Sequence, residues 1–182
     1  MKITSSTLKR LAVPALVAGL ALPLTVTSPA AAAEAGAKVT RYGGTVTLNA
    51  RTGVKNTVTF SANAARELVV RDGSGLLVGP GCRRVGTDGT TAVCGSLSAV
   101  TRVRAMVRDG DDSVRVKVAE ASTIDAGNGR DLVQTGAADD TINVRDGEEG
   151  DRVESCGGGA HDTFFADAGD IIPMTCENRF FG

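Results

Sequence analysis

From residue 45 onward the chain carries short runs in which polar and aliphatic residues alternate, the period of a strand with one face buried. The clearest are Thr45-Val46-Thr47-Leu48, Thr57-Val58-Thr59-Phe60, Glu67-Leu68-Val69-Val70 and Val100-Thr101-Arg102-Val103. Ser113-Val114-Arg115-Val116-Lys117-Val118, Leu132-Val133 and Thr141-Ile142-Asn143-Val144 follow. Gly, Asn and Asp clusters separate the runs, and 23 glycines supply the backbone freedom that so many turns demand. The one helix-like segment, Ala62 to Glu67 (ANAARE), is about one turn long and too short to stand alone. The pattern predicts an all-β protein of many short strands.

In the second half the runs become periodic. Residues 126–134 (AGNGRDLVQ) and 135–143 (TGAADDTIN) align with Gly second (Gly127, Gly136), Asp sixth (Asp131, Asp140) and a β-branched aliphatic eighth (Val133, Ile142). The Asp-x-apolar unit recurs at Asp112-Ser113-Val114 after Gly110, at Asp151-Arg152-Val153 after Gly147 and Gly150, and at Asp162-Thr163-Phe164 after Gly157-Gly158-Gly159. A faint last copy is Asp170-Ile171-Ile172. Intervals between these aspartates are 19, 9, 11, 11 and 8 residues, the first spanning a degenerate line, Lys117 to Asp125, that keeps its strand and lacks the Asp. Such a period implies a solenoid, one turn-and-strand unit per line. Two lines complete a flattened coil, so alternate lines stack: Asp112 over Asp131, Asp131 over Asp151, Asp140 over Asp162. Asp131 and Asp140 then belong to opposite edges and do not share a ligand.

Charge changes what the stacking means. Residues 34–108 hold eleven basic and four acidic residues, a net of +7, whereas residues 109–170 hold five and sixteen, a net of −11. Parallel strands lie about 4.8 Å apart, so same-edge carboxylates repel unless something positive neutralises them. A Ca²⁺ ion takes roughly six to eight oxygens at about 2.3–2.6 Å and can touch two adjacent turns, with carbonyls of the Gly-rich turns as further ligands. For one Asp alone the plain alternative is a turn residue bonding its own backbone, and an acidic run is often only a solvated face. The aligned set favours calcium. Asp109, Asp111, Ser113 and Glu120 also fit EF-hand positions, but Val114 stands where that loop needs Gly and the next residues alternate like a strand.

These lines resemble the G-G-x-G-x-D-x-U-x nonapeptide of RTX, or haemolysin-type, calcium-binding β-rolls. Residues 126–134 match it at Gly127, Gly129, Asp131 and Val133; 135–143 at Gly136, Asp140 and Ile142; 107–115 at Gly110, Asp112 and Val114; 157–165 at Gly157, Gly158, Asp162 and Phe164. The closing DAGDIIPMTCEN and the segment CRRVGTDGTTAVC are similar to parts of the short secreted actinobacterial members. Ala138, Ala160 and Glu149 depart from the pattern at the second turn glycine. The resemblance implies a right-handed parallel β-roll or β-solenoid over residues 107–182, led by an irregular β-rich part over 34–106. It implies Ca²⁺ held by Gly110, Asp112, Gly127, Asn128, Gly129, Asp131, Gly136, Asp140, Asp151 and Asp162, with one to three ions and the Asp112/Asp131 pair foremost. It also implies that the lines order only when calcium is bound.

The chain opens with a basic start (Lys2, Lys9, Arg10), an apolar run from Leu11 to Val26 and the small residues Pro29-Ala30-Ala31-Ala32-Ala33, as in a secretory signal peptide cleaved before Glu34. Pro14 and Pro23 interrupt a run too short to span a bilayer comfortably. Four cysteines in a secreted chain point to two disulfides. Of three pairings, Cys82 with Cys94 and Cys156 with Cys176 are favoured because each pair brackets a turn-rich segment; a four-cysteine metal site lacks the CxxC spacing. No catalytic motif appears: His161 is the lone histidine, and there is no Gly-x-Ser-x-Gly elbow, His-Glu-x-x-His or phosphate loop. The basic residues are dispersed with few aromatics among them, which argues against nucleic-acid binding. The expectation is a secreted, non-enzymatic calcium-binding protein with an unidentified extracellular or cell-wall partner. The competing expectation is a small secreted glycan-active enzyme or wall-adhesion module on a metal-free β-helix.

Overall fold

The computed structural model describes residues 34–174 and 176–182; the signal-peptide expectation falls on residues 1–33, outside the described residues. The described chain is all-β. Its first strands are β1 (Ala37–Tyr42), β2 (Thr45–Ala50), β3 (Thr57–Ala62) and β4 (Glu67–Asp72), followed by β5 (Leu76–Val78), β6 (Arg83–Val85) and β7 (Thr91–Ser96). A 3₁₀ turn at Leu97–Ala99 leads to β8 (Arg102–Met106), β9 (Ser113–Val116), β10 (Ala121–Asp125) and β11 (Leu132–Gln134). The last four are β12 (Thr141–Asn143), β13 (Arg152–Ser155), β14 (Thr163–Ala166) and β15 (Asn178–Phe181). They form two mixed sheets, ordered β15-β14-β12-β10-β8-β2-β1-β5 and β13-β11-β9-β3-β4-β7-β6.

The parallel half follows from the repeat. From β8 to β14, successive strands enter alternate sheets, so each strand pairs in parallel with the one two lines earlier. Side chains two apart on a strand share a face, and the registers stack the aliphatic of each line on that of its neighbour. One inner column runs Leu48, Ala105, Ile124, Ile142, Phe164; the facing one runs Val58, Val114, Val133, Val153. All nine are buried. The second column is β-branched throughout, the packing that strands favour.

The first half closes the end of the stack with antiparallel pairs, β1 on β2, β3 on β4, β4 on β7 and β6 on β7. Both sheets run through the 106/107 junction, because β8 pairs with β10 and β3 with β9, each in parallel. Cys82 bonds Cys94 across the β6–β7 hairpin, and Cys156 bonds Cys176 near the far end. Two disulfides belong to an oxidising compartment. Among the described residues no helix is long and apolar enough to cross a membrane.

Two local expectations are corrected. Residues 62–67 form a hairpin loop, not a helical turn: Asn63 Oδ1 accepts the Glu67 N–H at 2.9 Å, Asn63 Nδ2 donates to the Glu67 carboxylate, and Arg66 has φ 55°. The Asn side chain takes over the hydrogen bond a helix would have made. The strand expected at Val100–Val103 starts two residues later, at Arg102, because the 3₁₀ turn occupies the approach and β2 sets the register.

Turns of neighbouring lines lie so close that some turn glycines are sterically required. A Cβ on Gly127 (φ 83°) would lie 1.7 Å from the Arg108 carbonyl oxygen, whereas one on Gly147 (φ 89°) would meet nothing within 4 Å. Both positions disfavour alanine through φ, by about 1 kcal/mol. Gly127→Ala adds overpacking of about 1–3 kcal/mol, so it should unfold at lower urea than Gly147→Ala. Equal midpoints would mean that the coils are not this close.

Candidate metal centre

Each repeat Asp sits two residues before its buried aliphatic, so its carboxylate points into the inside of the turn at the edge of the core. Asp112, Asp131, Asp140, Asp151 and Asp162 are 2%, 3%, 1%, 1% and 1% exposed. They form two columns, one at each edge. On the edge leading into β9, β11 and β13, the Asp112 N–H donates to Asp131 Oδ1 (2.8 Å), Asp131 N–H to Asp151 Oδ1 (2.7 Å) and Asp151 N–H to Asp170 Oδ1 (3.1 Å). On the edge leading into β10, β12 and β14, Ser122 N–H donates to Asp140 Oδ1 (2.6 Å), Asp140 N–H to Asp162 Oδ1 (2.8 Å) and Asp162 N–H to Glu177 Oε2 (3.0 Å). The structure thus brings together the three same-edge pairs that the repeat implied and keeps Asp131 and Asp140 apart.

One oxygen of each carboxylate is used in this way. The other, Oδ2 of Asp112, Asp131 and Asp151, is buried and has no hydrogen-bond partner; Asp140 Oδ2 is buried too, with the Ser122 and Thr135 hydroxyls near enough to favour its charged form. No base answers it. Among the described residues the ion pairs are Arg51–Glu34, Lys55–Asp111, Arg83–Glu67 and Arg115–Glu154, all outside the columns. A buried carboxylate without a counter-charge rises in pKa. Burial pushes Asp112 up to about 7, Asp131 to about 8 and Asp151 to about 6, against the pull of the backbone N–H each accepts and helped by neighbouring carboxylates. Burial raises Asp140 and Asp162 as well.

The glycines predicted as ligands have a second role. Gly110, Gly127 and Gly129 take positive φ (106°, 83° and 130°), and a Cβ on Gly136 would come 2.0 Å from the Val118 oxygen. Two carbonyls of the turns already accept from a neighbouring coil: Asn128 O from Gly110 N (2.9 Å) and Gly136 O from Gly158 N (3.1 Å). A carbonyl oxygen has two lone pairs, so each keeps one free for a cation. Exposed and half-buried acids brace the turns outside the columns. Asp109 accepts from Gly53, Asp111 from Arg130, Asp139 from Ala160 and His161, and Asp146 from Gly129. The EF-hand spacing at 109–120 is therefore split: Asp109 and Asp111 face the turn exterior, and Ser113 is in β9.

Three rungs escaped the repeat search. Ser122 holds the Asp position of the degenerate line, Glu177 ends one column with a longer side chain, and Asn56 heads the other, its N–H donating to Asp112 Oδ1 at 2.6 Å. Only the Thr-Val pair after Asn56 hinted at it. Among the described residues no three His, Cys, Asp or Glu side chains converge as a metal-holding group. An ion held in a column would have to draw on one or two carboxylates and complete its shell with carbonyls and water. The unpaired oxygens fit that role, since a hard cation needs acceptors without donors. No protein-family model, no curated protein and no solved structure matches this chain.

The raised pKa values set a pH dependence. The unfolded carboxyls release their protons near pH 3.9, whereas the folded, metal-free chain holds them until about pH 6 to 8. Their contribution is therefore fully present below about pH 4 and is lost as pH rises through 6 to 8. In chelator, Tm should fall between about pH 5 and pH 8, and the fall should be shallower in Asp131→Asn. A Tm that climbs across that window in chelator contradicts the buried columns.

Proposed function

We propose that this is a secreted, non-enzymatic calcium-binding protein of β-roll type, in which Ca²⁺ between stacked turns completes the fold. The observation that carries the reading is the row of buried, unpartnered carboxylate oxygens at Asp112, Asp131 and Asp151, with Asp140 on the other edge. Bound Ca²⁺ supplies the positive charge and the oxygen coordination that these groups lack. The chain's own part is positioning. Backbone N–H groups hold one oxygen of each Asp, the aliphatic two residues later anchors the line in the core, and the glycines allow the coils to approach. The strand order supports the β-roll reading, since β8 to β14 alternate between two sheets with parallel neighbours. A charge of −11 over residues 109–170 gives the metal-free repeats a reason to expand, and calcium a reason to compact them.

Calcium titration of the purified protein by circular dichroism tests this. Millimolar Ca²⁺ at neutral pH should raise β content or Tm. Asp131→Asn keeps an acceptor for the Asp112 N–H but removes a buried charge; its metal-free form should melt above the metal-free wild type at pH 8, and its gain from Ca²⁺ should shrink. Asp170→Ala, at the end of the column, should keep most of the gain. Calcium that alters neither β content nor Tm of the wild type refutes the assignment.

A second reading, a wall-adhesion or glycan-active module, draws on a shallow groove of about 450 Å³ on the outer face of the eight-stranded sheet. Arg104, Thr123, Asp125, Asn143, Arg145 and Phe165 line it. Its two arginines and single aromatic ring suit an acidic glycan better than a neutral one. Retention on immobilised acidic polysaccharide, lost in Arg104→Ala, would favour that reading.

A further inference from the structure

The head of the longer column lies outside the repeats. β3 pairs with β9 in parallel, Thr57 opposite Ser113 and Val58 opposite Val114, which makes residues 51–59 (RTGVKNTVT) the first line of the stack. Asn56 stands where the later lines have Asp. It is fully buried, as is Asp72 beside it.

The amide of Asn56 is fixed in one orientation. Its Nδ2 donates to Asp72 Oδ2 and to Ser74 Oγ, both at 2.7 Å. Asp72 Oδ1 accepts the Thr57 and Ser74 N–H groups at 3.1 Å, and Ser74 Oγ donates to Asp72 Oδ2 at 2.7 Å. Turning the amide over would set its oxygen against that carboxylate and lose two donors. Asn56 Oδ1 therefore faces away from Asp72, and it has no hydrogen-bond partner. Neither has Asp112 Oδ2 on the adjoining rung. The two rungs are in direct contact, since the Asn56 N–H donates to the other oxygen of Asp112 at 2.6 Å.

We propose that the column carries an additional divalent-cation site at its head, with Asn56 Oδ1 and Asp112 Oδ2 as ligands and Asp72 as the residue that positions Asn56. The proposal rests on the calcium reading of the repeats and extends it into the antiparallel half, which no repeat motif covers. Oxygen-only ligands without donors are what a Ca²⁺ ion selects. One amide and one carboxylate give less charge than two carboxylates, so this site fills after those between Asp rungs. Once filled it fastens the β3–β4 hairpin to the first repeat line.

Equilibrium dialysis with ⁴⁵Ca²⁺ on the purified protein, wild type against Asn56→Leu and against Asn56→Asp with Asp72→Asn, tests it. The wild type should show a weakest equivalent that Asn56→Leu loses while the tighter ones remain. Asn56→Asp made together with Asp72→Asn keeps the 56–72 hydrogen bond with donor and acceptor exchanged and moves the charge onto the rung; this double variant should retain the full number and bind the weakest equivalent about tenfold tighter. An unchanged number and affinity in Asn56→Leu would assign the space to water and overturn the head site, leaving the repeat sites standing. Should Asn56→Leu fail to fold, as judged by circular dichroism, the exchanged pair, Asn56→Asp with Asp72→Asn, decides: tightening supports the site and unchanged affinity overturns it. A wild type that binds no calcium overturns both readings together.

Discussion

The buried aspartate, bonded through one oxygen to the backbone of the coil before it, is the interaction on which the rest of the structure depends. A turn between two short strands leaves backbone N–H groups facing inward, where water is excluded. Each has to be answered. Asp does this at Asp131 and Asp140, but it brings a second oxygen and a negative charge into the same dry space. An apolar residue would leave the N–H unanswered. The same side chain thus solves the hydrogen-bond problem of one coil and creates an electrostatic problem that accumulates along the edge. A cation between rungs, or a proton on them, would resolve it, and burial already raises the pKa of both carboxyls.

The glycines belong to the same argument. Carbonyl oxygens of one coil lie where the first side-chain carbon of the next would be, as at Gly127 under Arg108 and Gly157 under Gly136. Close stacking sets each carboxylate against the backbone N–H of the adjacent rung, and it also lets neighbouring carboxylates raise one another's pKa. Hydrophobic columns such as Val58-Val114-Val133-Val153 supply the attraction that holds the coils at that distance.

Much of this was legible in the sequence, and what was not has a physical reason. The Asp-x-aliphatic unit is local, so Asp131-Leu132-Val133 and Asp140-Thr141-Ile142 announced inward-facing pairs at once. The alternation of lines then gave the edges. Asn56 was invisible because its nearest rung is 56 residues away, beyond the hairpins of the antiparallel half, and because amide replaces acid. Glu177 hid behind a longer side chain, and Ser122 answers no N–H with its own hydroxyl. The loop at 62–67 defeated a composition rule: Ala-rich residues suggest helix, yet one Asn side chain bonding Glu67 was enough to turn the chain.

The hydrogen bonds within each column run one way, from the N–H of one rung to the carboxylate of the rung one coil later. Along the longer column the steps span 19, 20 and 19 residues. A protein built this way changes length in whole coils. Duplicating two successive lines adds one rung to each edge and leaves every existing partner in place. Duplicating one line sends every later strand to the opposite sheet and every later carboxylate to the opposite edge. By this pairing, slippage of a gene by about twenty residues would keep every partner in place, and slippage by nine would not.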